Sequence, residues 1–403
     1  MNLPVDGSPS KSPPQRKPLR VAMVTRRYWP LASGSGTIMA HLAAGLLVEG
    51  VRCTIITPRW NPSWPQSMTH GAATVVRLPI SSYRTWRDMR YGWTLSTFLR
   101  RHADEFNLIY VSELKHEAAA ASAAGQRLGW PVVLRAENSG FTGDCHWQLN
   151  APLGRRIKQH CGRAAALLAS SPIVHRELIA AGFPRERIHL VPSGIPALEE
   201  SAAEDRAAYR AAFAEADTSL ALPKEAALVV FIGRLTEDKG LPDLLRAWSL
   251  VTRGRPHARL WLVGEGPEQQ RLADLTASLG ISDSVVLPGV FDAPQDILRA
   301  ADLFVYPVLE AGTALAPLEA MAAGVPVVAS DIPDNRHMLA DGRCGVLVPP
   351  EDPTALASAI ARLLDSREAA QELSRAAQSR VREEFSLEAM VRHHAELFRQ
   401  LVA

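Results

Sequence analysis

Short apolar runs alternate with longer, helix-forming segments along most of the chain. The runs are continuously hydrophobic, which is typical of strands buried on both faces. In the first half they occupy residues 19–25, 51–57, 107–111, 130–134 and 164–170. Alanine- and leucine-rich stretches between them, such as residues 37–49 and 117–128, have the composition of helices. This alternation predicts an α/β chain that opens with a Rossmann-like unit.

The second half repeats the alternation, with strands expected at residues 227–232, 260–263, 285–287, 303–306, 326–329 and 342–349. A length of 403 residues is too great for one ordinary core and suits two domains of about 180 residues each. We expect a disordered tail over residues 1–18, a first domain over 19–195, a second over 196–385, and an amphipathic final helix over 386–403. The tail contains five prolines and almost no apolar residue, so it cannot offset the entropy of ordering.

Composition narrows the functional classes. With 47% hydrophobic and 21% charged residues the chain is soluble and globular, and a net charge of +2 gives no reason to expect nucleic acid. The four cysteines (Cys53, Cys145, Cys161 and Cys344) lack metal-ligand spacing and suggest reduced thiols. No apolar run approaches the ~20 residues of a membrane span, and the N-terminus has no signal-peptide core. We therefore expect a cytoplasmic protein.

Residues 303–330, LFVYPVLEAGTALAPLEAMAAGVPVVAS, predict one βαβ unit. Pro317 suits the first turn of its helix, and Gly324 suits the left-handed residue just past the helix end. The helix N-terminus should then lie at the C-terminal edge of a parallel sheet, where open α/β sheets bind ligands. Because that end carries free N–H groups and positive partial charge, an anionic ligand is expected there.

The segment that begins at Glu319, EAMAAGVPVVAS, resembles the C-terminal donor motif of retaining GT-B glycosyltransferases of family 4. In that family an acidic residue precedes the motif. Here Glu310 and Glu319 are separated by eight residues, one more than in the family, so the residue in register is Ala311. A bulge of one residue would return Glu310 to the site, whereas strict register would put Ala311 there. The intervening Gly312 and Thr313 belong to the expected donor site.

Two further segments of the second half match motifs of the same family. The resemblance implies that Arg234 and Lys239, in the pattern Gly233-Arg234-Leu235 followed by Asp238-Lys239-Gly240, hold the donor diphosphate. A guanidinium and an ammonium stabilise the charge that develops on a departing diphosphate. The turn Gly264-Glu265-Gly266-Pro267 is expected to approach the nucleotide with its backbone, and Val290 lies where the family binds the base.

The first half matches the family less closely. Gly34 and Gly36 stand where a glycine-rich loop faces the donor phosphates, although an ordinary strand-to-helix turn is the alternative. Glu137 occupies the position of a histidine that faces the reaction centre, with Asn138 and Asp144 near it. A carboxylate there could take the proton of an acceptor hydroxyl, or it could only anchor its loop.

Arginines and aromatic residues alternate within residues 77–102, which include Arg90, Tyr91, Trp93, Arg100 and Arg101. This composition suits an anionic surface, and the resembled family includes peripheral membrane enzymes that meet lipid-linked acceptors with this region. The alternative is a solvated helical face whose tryptophans pack inward. The sequence is therefore compatible both with contact at the inner face of a membrane and with an ordinary solvated helix.

The resemblance implies a GT-B fold, in which two Rossmann-like domains face each other across a cleft and the C-terminal helix crosses back to the first domain. It implies a glycosyltransferase of the hexosyltransferase type that uses a UDP- or GDP-sugar, requires no metal, retains the anomeric configuration, and acts on a glycan or lipid-linked acceptor. Glu319 would hold the ribose hydroxyls and Glu310 those of the sugar. A GT-B protein that binds a sugar nucleotide without catalysis is the alternative.

Overall fold

The computed structural model describes residues 19–31, 33–81, 87–197, 203–223, 225–291, 293–310 and 315–403. The expected disordered tail, residues 1–18, lies outside these ranges, as do Ala311, Gly312 and Thr313. Helices and parallel strands alternate through the described residues, as the hydrophobic pattern predicts.

The first sheet has eight strands among the described residues. They are β1 (Arg20–Val24), β2 (Arg52–Pro58), β3 (Ser67–His70), β4 (Ala73–Leu78), β5 (Leu108–Ser112), β6 (Val132–Ala136), β7 (Ala166–Ala169) and β8 (Ile188–Leu190), in the order β3-β4-β2-β1-β5-β6-β7-β8. Only β3 is antiparallel to its neighbour. The associated helices are α1 (Gly34–Val48), α2 (Arg87–Arg101), α3 (His116–Leu128), α4 (Asp144–Asn150), α5 (Gly154–Cys161) and α6 (Pro172–Ala180).

The second sheet is parallel throughout its six described strands. They are β9 (Leu228–Ile232), β10 (Arg259–Val263), β11 (Val285–Gly289), β12 (Leu303–Tyr306), β13 (Val327–Ser330) and β14 (Val346–Val348), in the order β11-β10-β9-β12-β13-β14. Its helices are α7 (Ala203–Ala216), α8 (Leu241–Gly254), α9 (Gln269–Ser278), α10 (Pro294–Ala300), α11 (Leu315–Ala322), α12 (Pro333–Met338), α13 (Pro353–Asp365) and α14 (Arg367–Glu384), followed by α15 (Leu387–Val402).

The βαβ unit around α11 has the predicted construction. All four residues of β12 and of β13 are buried, as expected of strands covered on both faces. Pro317 is the third residue of α11 as described, and Gly324 follows the helix with φ +72°. The direction of this helix is therefore the predicted one, with its N-terminus at the C-terminal edge of the sheet.

The last helix crosses back to the first sheet, which confirms the GT-B topology. Just before α15, Ile195 and Ser386 form a parallel bridge, so two chain segments pass side by side between the sheets. Helix α15 packs on α1 so closely that a Cβ on Gly45 would lie 2.3 Å from Val391 Cγ2. The ring of Phe398 meets that of Tyr110, with centroids 5.9 Å apart. The C-terminal helix is thus part of the core beneath β1 and β5.

The structure differs from the sequence prediction at the start of α1 and at strands β3, β4 and β8. The prediction began the helix at Thr37, whereas α1 begins at Gly34 because the Ser33 side chain accepts a hydrogen bond from Gly36 N. Strands β4 and β8 were not predicted, although four of the six residues of β4 are buried. Strand β3 was not predicted either, because its residues alternate between exposed and half-buried positions. The periodicity of a short edge strand carries little hydrophobic signal.

Candidate active site

The C-terminal edges of the two sheets face each other across a cleft of about 1160 Å³. In each sheet the strand order reverses at a central strand, at β1 between β2 and β5 and at β9 between β10 and β12. Such a reversal leaves a crevice where neighbouring connections run to opposite sides of the sheet. Lining residues follow both strands, Arg27 after β1 and Gly233 after β9. The cleft therefore joins the ligand-binding edges of two α/β sheets.

Two glycine-rich turns form the floor of the cleft on the second sheet. The turn after β9 and the turn after β10 are joined by backbone hydrogen bonds, from Gly233 N to Val263 O (2.9 Å) and from Leu235 N to Glu265 O (3.0 Å). A Cβ on Gly264 would lie 1.8 Å from Gly233 O, and one on Gly266 would lie 2.1 Å from Leu235 O. Both glycines also line the cleft. Contact between the turns therefore requires glycine at these positions, whatever the cleft binds.

Arg234 and Lys239 both line the cleft. Arg234 is exposed and makes no ion pair with any described residue. Lys239 is half-buried, and its Nζ lies 2.6 Å from Asp238 Oδ2. Two cations thus project into the cleft at the end of β9, where a ligand would meet them.

The turn that carries Lys239 is locked to the loop after β12. Leu309 N donates to Asp238 O at 2.9 Å. Gly240 has φ +62°, and a Cβ there would lie 2.0 Å from Pro307 O. This contact leaves no room for a side chain at Gly240. Since Lys239 precedes Gly240 and Glu310 follows Leu309, backbone contacts link the positions of these two residues.

The structure brings both predicted carboxylates to the cleft. Glu310 is half-buried and lines it, at the last described position before residues 311–314. Glu319 lies in α11, is only 8% exposed, and makes no side-chain hydrogen bond with any described residue. Burial raises the pKa of its carboxyl group. A buried carboxylate beside the cleft without a protein partner is suited to accept hydrogen bonds from a ligand.

Glu137 does not line the cleft. Its carboxylate is buried and pairs with Arg135 Nε at 3.2 Å, and it also accepts from Ser112 Oγ at 3.2 Å. Burial raises the pKa of Glu137, an effect that the Arg135 guanidinium opposes. Asn138, the next residue, faces the cleft instead. Of the two roles that the sequence left open for Glu137, the contacts favour the structural one.

Asp144 ties the ends of β5 and β6 together. Its carboxylate accepts from Leu114 N at 2.8 Å and from Glu137 N at 2.9 Å. Burial raises the pKa of Asp144 to about 6, with a further contribution from the charge of Glu113. Asp144 therefore shapes the loops beside the cleft from a buried position.

One face of α1 lines the cleft through Gly34, Thr37 and His41, whose spacing of three and four residues follows the helical repeat. Gly36 does not line the cleft. A Cβ on Gly36 would lie 2.7 Å from Ser33 Oγ and 2.9 Å from Arg27 O, so this glycine is explained by close packing. Thr37 and His41 were not among the residues predicted to form the site. The available signal was a pair of polar positions, one turn apart, on an otherwise apolar helix.

Arg27 and Trp60 are two further lining residues that the sequence analysis missed. Arg27 is the third residue after the central strand β1, and this closeness to the strand end could have identified it. Val290, which was predicted, lines the opposite wall and is 52% exposed. No group of three or more potential metal-ligating side chains occurs in the part of the chain that the structure describes.

A polar contact between the two halves closes one flank of the cleft. Asp334, at the start of α12, accepts hydrogen bonds from Ser171 Oγ at 3.1 Å and from Ser139 Oγ. Ser171 also caps α6 by accepting from Val174 N. Burial raises the pKa of Asp334, which these two hydroxyl groups oppose. This contact sets the distance between the walls on that side.

The sequence matches known glycosyltransferases over most of its length. A model described as glycosyl transferases group 1 matches residues 213–380, and one described as a glycosyl transferase 4-like domain matches residues 33–194. A D-inositol 3-phosphate glycosyltransferase of Acidothermus cellulolyticus is 33% identical over 391 residues, which span 86% of this chain and 83% of that protein. The match to the same kind of enzyme from Thermobispora bispora, at 35% identity, spans 50% of this chain and about half (48%) of that relative.

Solved structures match almost the whole fold. A sucrose-phosphate synthase of Thermosynechococcus elongatus superposes with a TM-score of 0.77 at 23% identity, over 95% of this chain and 99% of that one. HepE of Anabaena, in complex with UDP and glucose, superposes with a TM-score of 0.76 at 17% identity, over 95% and 100% of the two chains. These likenesses show a GT-B fold, and the sequence matches favour an enzyme over a non-catalytic binding protein. The chain belongs to the group 1 glycosyltransferases and is a glycosyltransferase enzyme with the GT-B fold.

Proposed function

We propose that the enzyme transfers a sugar from a nucleoside diphosphate sugar to an acceptor hydroxyl, with retention of configuration at the anomeric carbon. The observation that carries this proposal is the pair of cations, Arg234 and Lys239, held beside the cleft at the end of β9. A diphosphate is the leaving group whose charge such a pair would stabilise, because guanidinium and ammonium groups act on developing negative charge without a metal.

The carboxylates suit the hydroxyl-bearing parts of the donor. Glu319 is buried and has no partner among the described residues, so its two oxygens are free to accept from the vicinal ribose hydroxyls. Glu310 lies in the loop locked to the Lys239 turn, and we assign it to the hydroxyls of the transferred sugar. Gly264, Gly266 and Val290 would then approach the nucleotide from the side of β10 and β11.

The donor is most simply a UDP-sugar, with a GDP-sugar as the other candidate. HepE, which shares this fold, has been crystallised with UDP and with UDP-glucose, and a trehalose-6-phosphate enzyme of E. coli with UDP-2-fluoro glucose. These ligands are bound in the structures of the neighbours. They support a nucleoside diphosphate donor here because the cleft of this chain offers cations and a buried carboxylate at the C-terminal edge of its second sheet.

Retention requires the acceptor to attack from the face that the leaving group departs from. A phosphate oxygen of the departing diphosphate then helps to take the proton of the acceptor. The location of Glu137 supports this route, since its carboxylate is buried against Arg135 and does not line the cleft. In this scheme residues 196–385 form the donor domain, and residues 19–195 form the acceptor domain.

A glycan or lipid-linked acceptor would approach from the first domain. Tyr91 of α2 packs inward, but Trp93 is 68% exposed and lies on the same helix as the exposed residues Arg90, Arg100 and Arg101. An exposed indole among guanidinium groups suits an anionic membrane surface. Tyr83, Arg84 and Trp86, which belong to the same predicted segment, lie outside the described residues. In the part of the chain that the structure describes, every helix is too short or too polar to cross a membrane.

Arg234→Ala and Lys239→Ala should each reduce transfer activity by at least about tenfold, because each removes an oriented cation from a developing charge. The unfolding temperature should stay near that of the wild type, since Arg234 is exposed and Lys239 pairs only with its neighbour Asp238 among described residues. Release of UDP or GDP from the corresponding sugar nucleotide in the presence of an acceptor measures the effect. Wild-type turnover in both variants would contradict the assignment of the diphosphate site.

Glu319→Ala should weaken binding of the bare nucleoside diphosphate by about tenfold, because a carboxylate on ribose hydroxyls binds ground and transition states alike. Its pKa is raised by burial, so the wild-type carboxylate protonates at a higher pH than an exposed glutamate. Affinity should therefore fall as the pH is lowered toward that raised pKa. Calorimetry over a pH series checks this, with Glu319→Gln as the control that should retain only the dependence due to protonation of the terminal phosphate.

Glu310→Gln should lower kcat while affinity for the bare nucleotide stays nearly unchanged. The substitution keeps the volume of the side chain but removes its charge and one acceptor, which are needed only when a sugar is present. Steady-state kinetics with an identified acceptor, together with nucleotide titration, separate the two effects. Equal turnover in the variant would remove Glu310 from the site and favour the register in which Ala311 faces the sugar.

Wild-type protein should sediment with vesicles that contain anionic phospholipid and stay in solution with neutral vesicles. Trp93→Ala should reduce this binding at least about threefold, because the indole supplies interfacial apolar area. Val48→Ala is the matched control, since Val48 is 89% exposed and lies on α1, a different helix of the first domain. The membrane proposal is wrong if the wild type does not bind anionic vesicles or if the two variants behave alike.

A further inference from the structure

Two adjacent arginines follow β1 and have different surroundings. The guanidinium of Arg26 interacts with other side chains of the protein. Its Nη1 lies 2.7 Å from Glu117 Oε1, and its Cζ lies 5.7 Å from the ring centroid of Trp60. Arg27 lines the cleft, is exposed, and makes no side-chain hydrogen bond or ion pair with any described residue. The five N–H donors of its guanidinium are therefore available to a ligand.

The backbone of Arg27 is held in place. Its carbonyl oxygen accepts from Thr25 Oγ1 and from Ser33 Oγ, each at 3.3 Å. Gly36 permits this arrangement, because a Cβ there would lie 2.9 Å from Arg27 O. The connection between β1 and α1 is therefore tight, and the guanidinium extends into the cleft from a fixed origin. A fixed origin reduces the entropy lost when a ligand binds.

Arg27 and Arg234 belong to opposite walls of the cleft and repel each other. The pKa of Arg27 is lowered first by partial burial and next by the charge of Arg234, with Arg26 adding to the effect and Glu113 opposing it. Like charges brought together from two separate sheets oppose the approach of the walls. An anion placed between them would convert this repulsion into two attractions.

We propose that Arg27 is a third cation for the donor diphosphate, contributed by the first domain, so that the diphosphate bridges the two walls of the cleft. This inference rests on the proposed function and extends it. Arg234 and Lys239 belong to the second domain, so they could bind the donor without involving the first. With Arg27 included, binding of the diphosphate group is linked to closure of the cleft, and a nucleoside without that group does not produce closure.

The test compares Arg27→Ala and Arg27→Lys with the wild type, using Arg52→Ala as the matched control. Arg52 is an exposed arginine at the opposite end of the first sheet, where β2 begins. UDP and GDP are titrated by calorimetry, and for the one that binds, the corresponding nucleoside is titrated as well. Arg27→Ala should raise Kd for the diphosphate by about tenfold, typical of a lost charge-assisted contact, and leave Kd for the nucleoside unchanged. Arg27→Lys should recover part of the loss.

Two further measurements separate ligand binding from a structural role. The unfolding temperature of unliganded Arg27→Ala should equal or exceed that of the wild type, because the substitution removes a repulsion; a structural arginine would lower it. Small-angle X-ray scattering should show a decrease in the radius of gyration of the wild type when the diphosphate is added, and no decrease in Arg27→Ala.

The outcomes distinguish the role of Arg27 from the proposed donor class. If Arg27→Ala binds the diphosphate as Arg52→Ala does while Arg234→Ala binds it more weakly, Arg27 is not part of the site and the proposed donor class stands. If the wild type binds neither UDP nor GDP, the proposed donor class and the role of Arg27 are both overturned.

Discussion

The contact between the turns after β9 and β10 determines the shape of the second domain's binding edge. Gly233 N and Leu235 N are bonded to the neighbouring turn, and the backbones approach so closely that Gly264 and Gly266 have no room for a Cβ. Since neighbouring parallel strands bring their following turns together, this contact results directly from the order of β9 and β10. Arg234 lies on a backbone that cannot shift without losing these bonds, which is the rigidity that an electrostatic site requires.

Close backbone contact also fixes the turn that carries Lys239, on the opposite side of β9. The turn that carries Lys239 is bonded to the loop after β12, and Gly240 allows the approach to Pro307. The cations therefore derive their positions from backbone packing on both sides of the central strand. Their charges are largely free, since Lys239 pairs only with Asp238 among described residues and Arg234 with none. This combination of fixed positions and available charge favours a ligand that is strongly anionic.

Several contacts beside the cleft join the two domains. Paired chain segments meet at Ile195 and Ser386, and a Cβ on Gly194 would lie 2.5 Å from Ser386 O. On one flank Asp334 bonds to serines of the first domain, whereas inside the cleft Arg27 and Arg234 repel. Under the proposal that the donor diphosphate bridges the two walls, an anionic ligand would offset this repulsion.

Much of the fold and part of the site follow from local sequence. Buried parallel strands produce continuous apolar runs, so most strands of both sheets were predicted, whereas β3, β4 and β8 of the first sheet were not. Helix α11 was predictable in direction because Gly324 adopts a left-handed conformation that few other residues tolerate. Arg234, Lys239 and Glu319 were placed at the cleft by their motifs, because each lies within a few residues of a strand end or helix start.

Other features were decided by tertiary packing. Glu137 and Asn138 both follow β6, but a buried guanidinium 3.2 Å away draws the first into the interior and leaves the second at the cleft. Trp93 was an inward-packing candidate, yet it is exposed because Tyr91 takes the buried position on α2. The charge of Arg234, a residue of the other domain, adds to the effect of burial in lowering the pKa of Arg27. Periodicity and motifs indicate the secondary structure and burial of a residue's own segment. The direction of a polar side chain at a strand end depends instead on the distant charges and surfaces that the fold brings beside it.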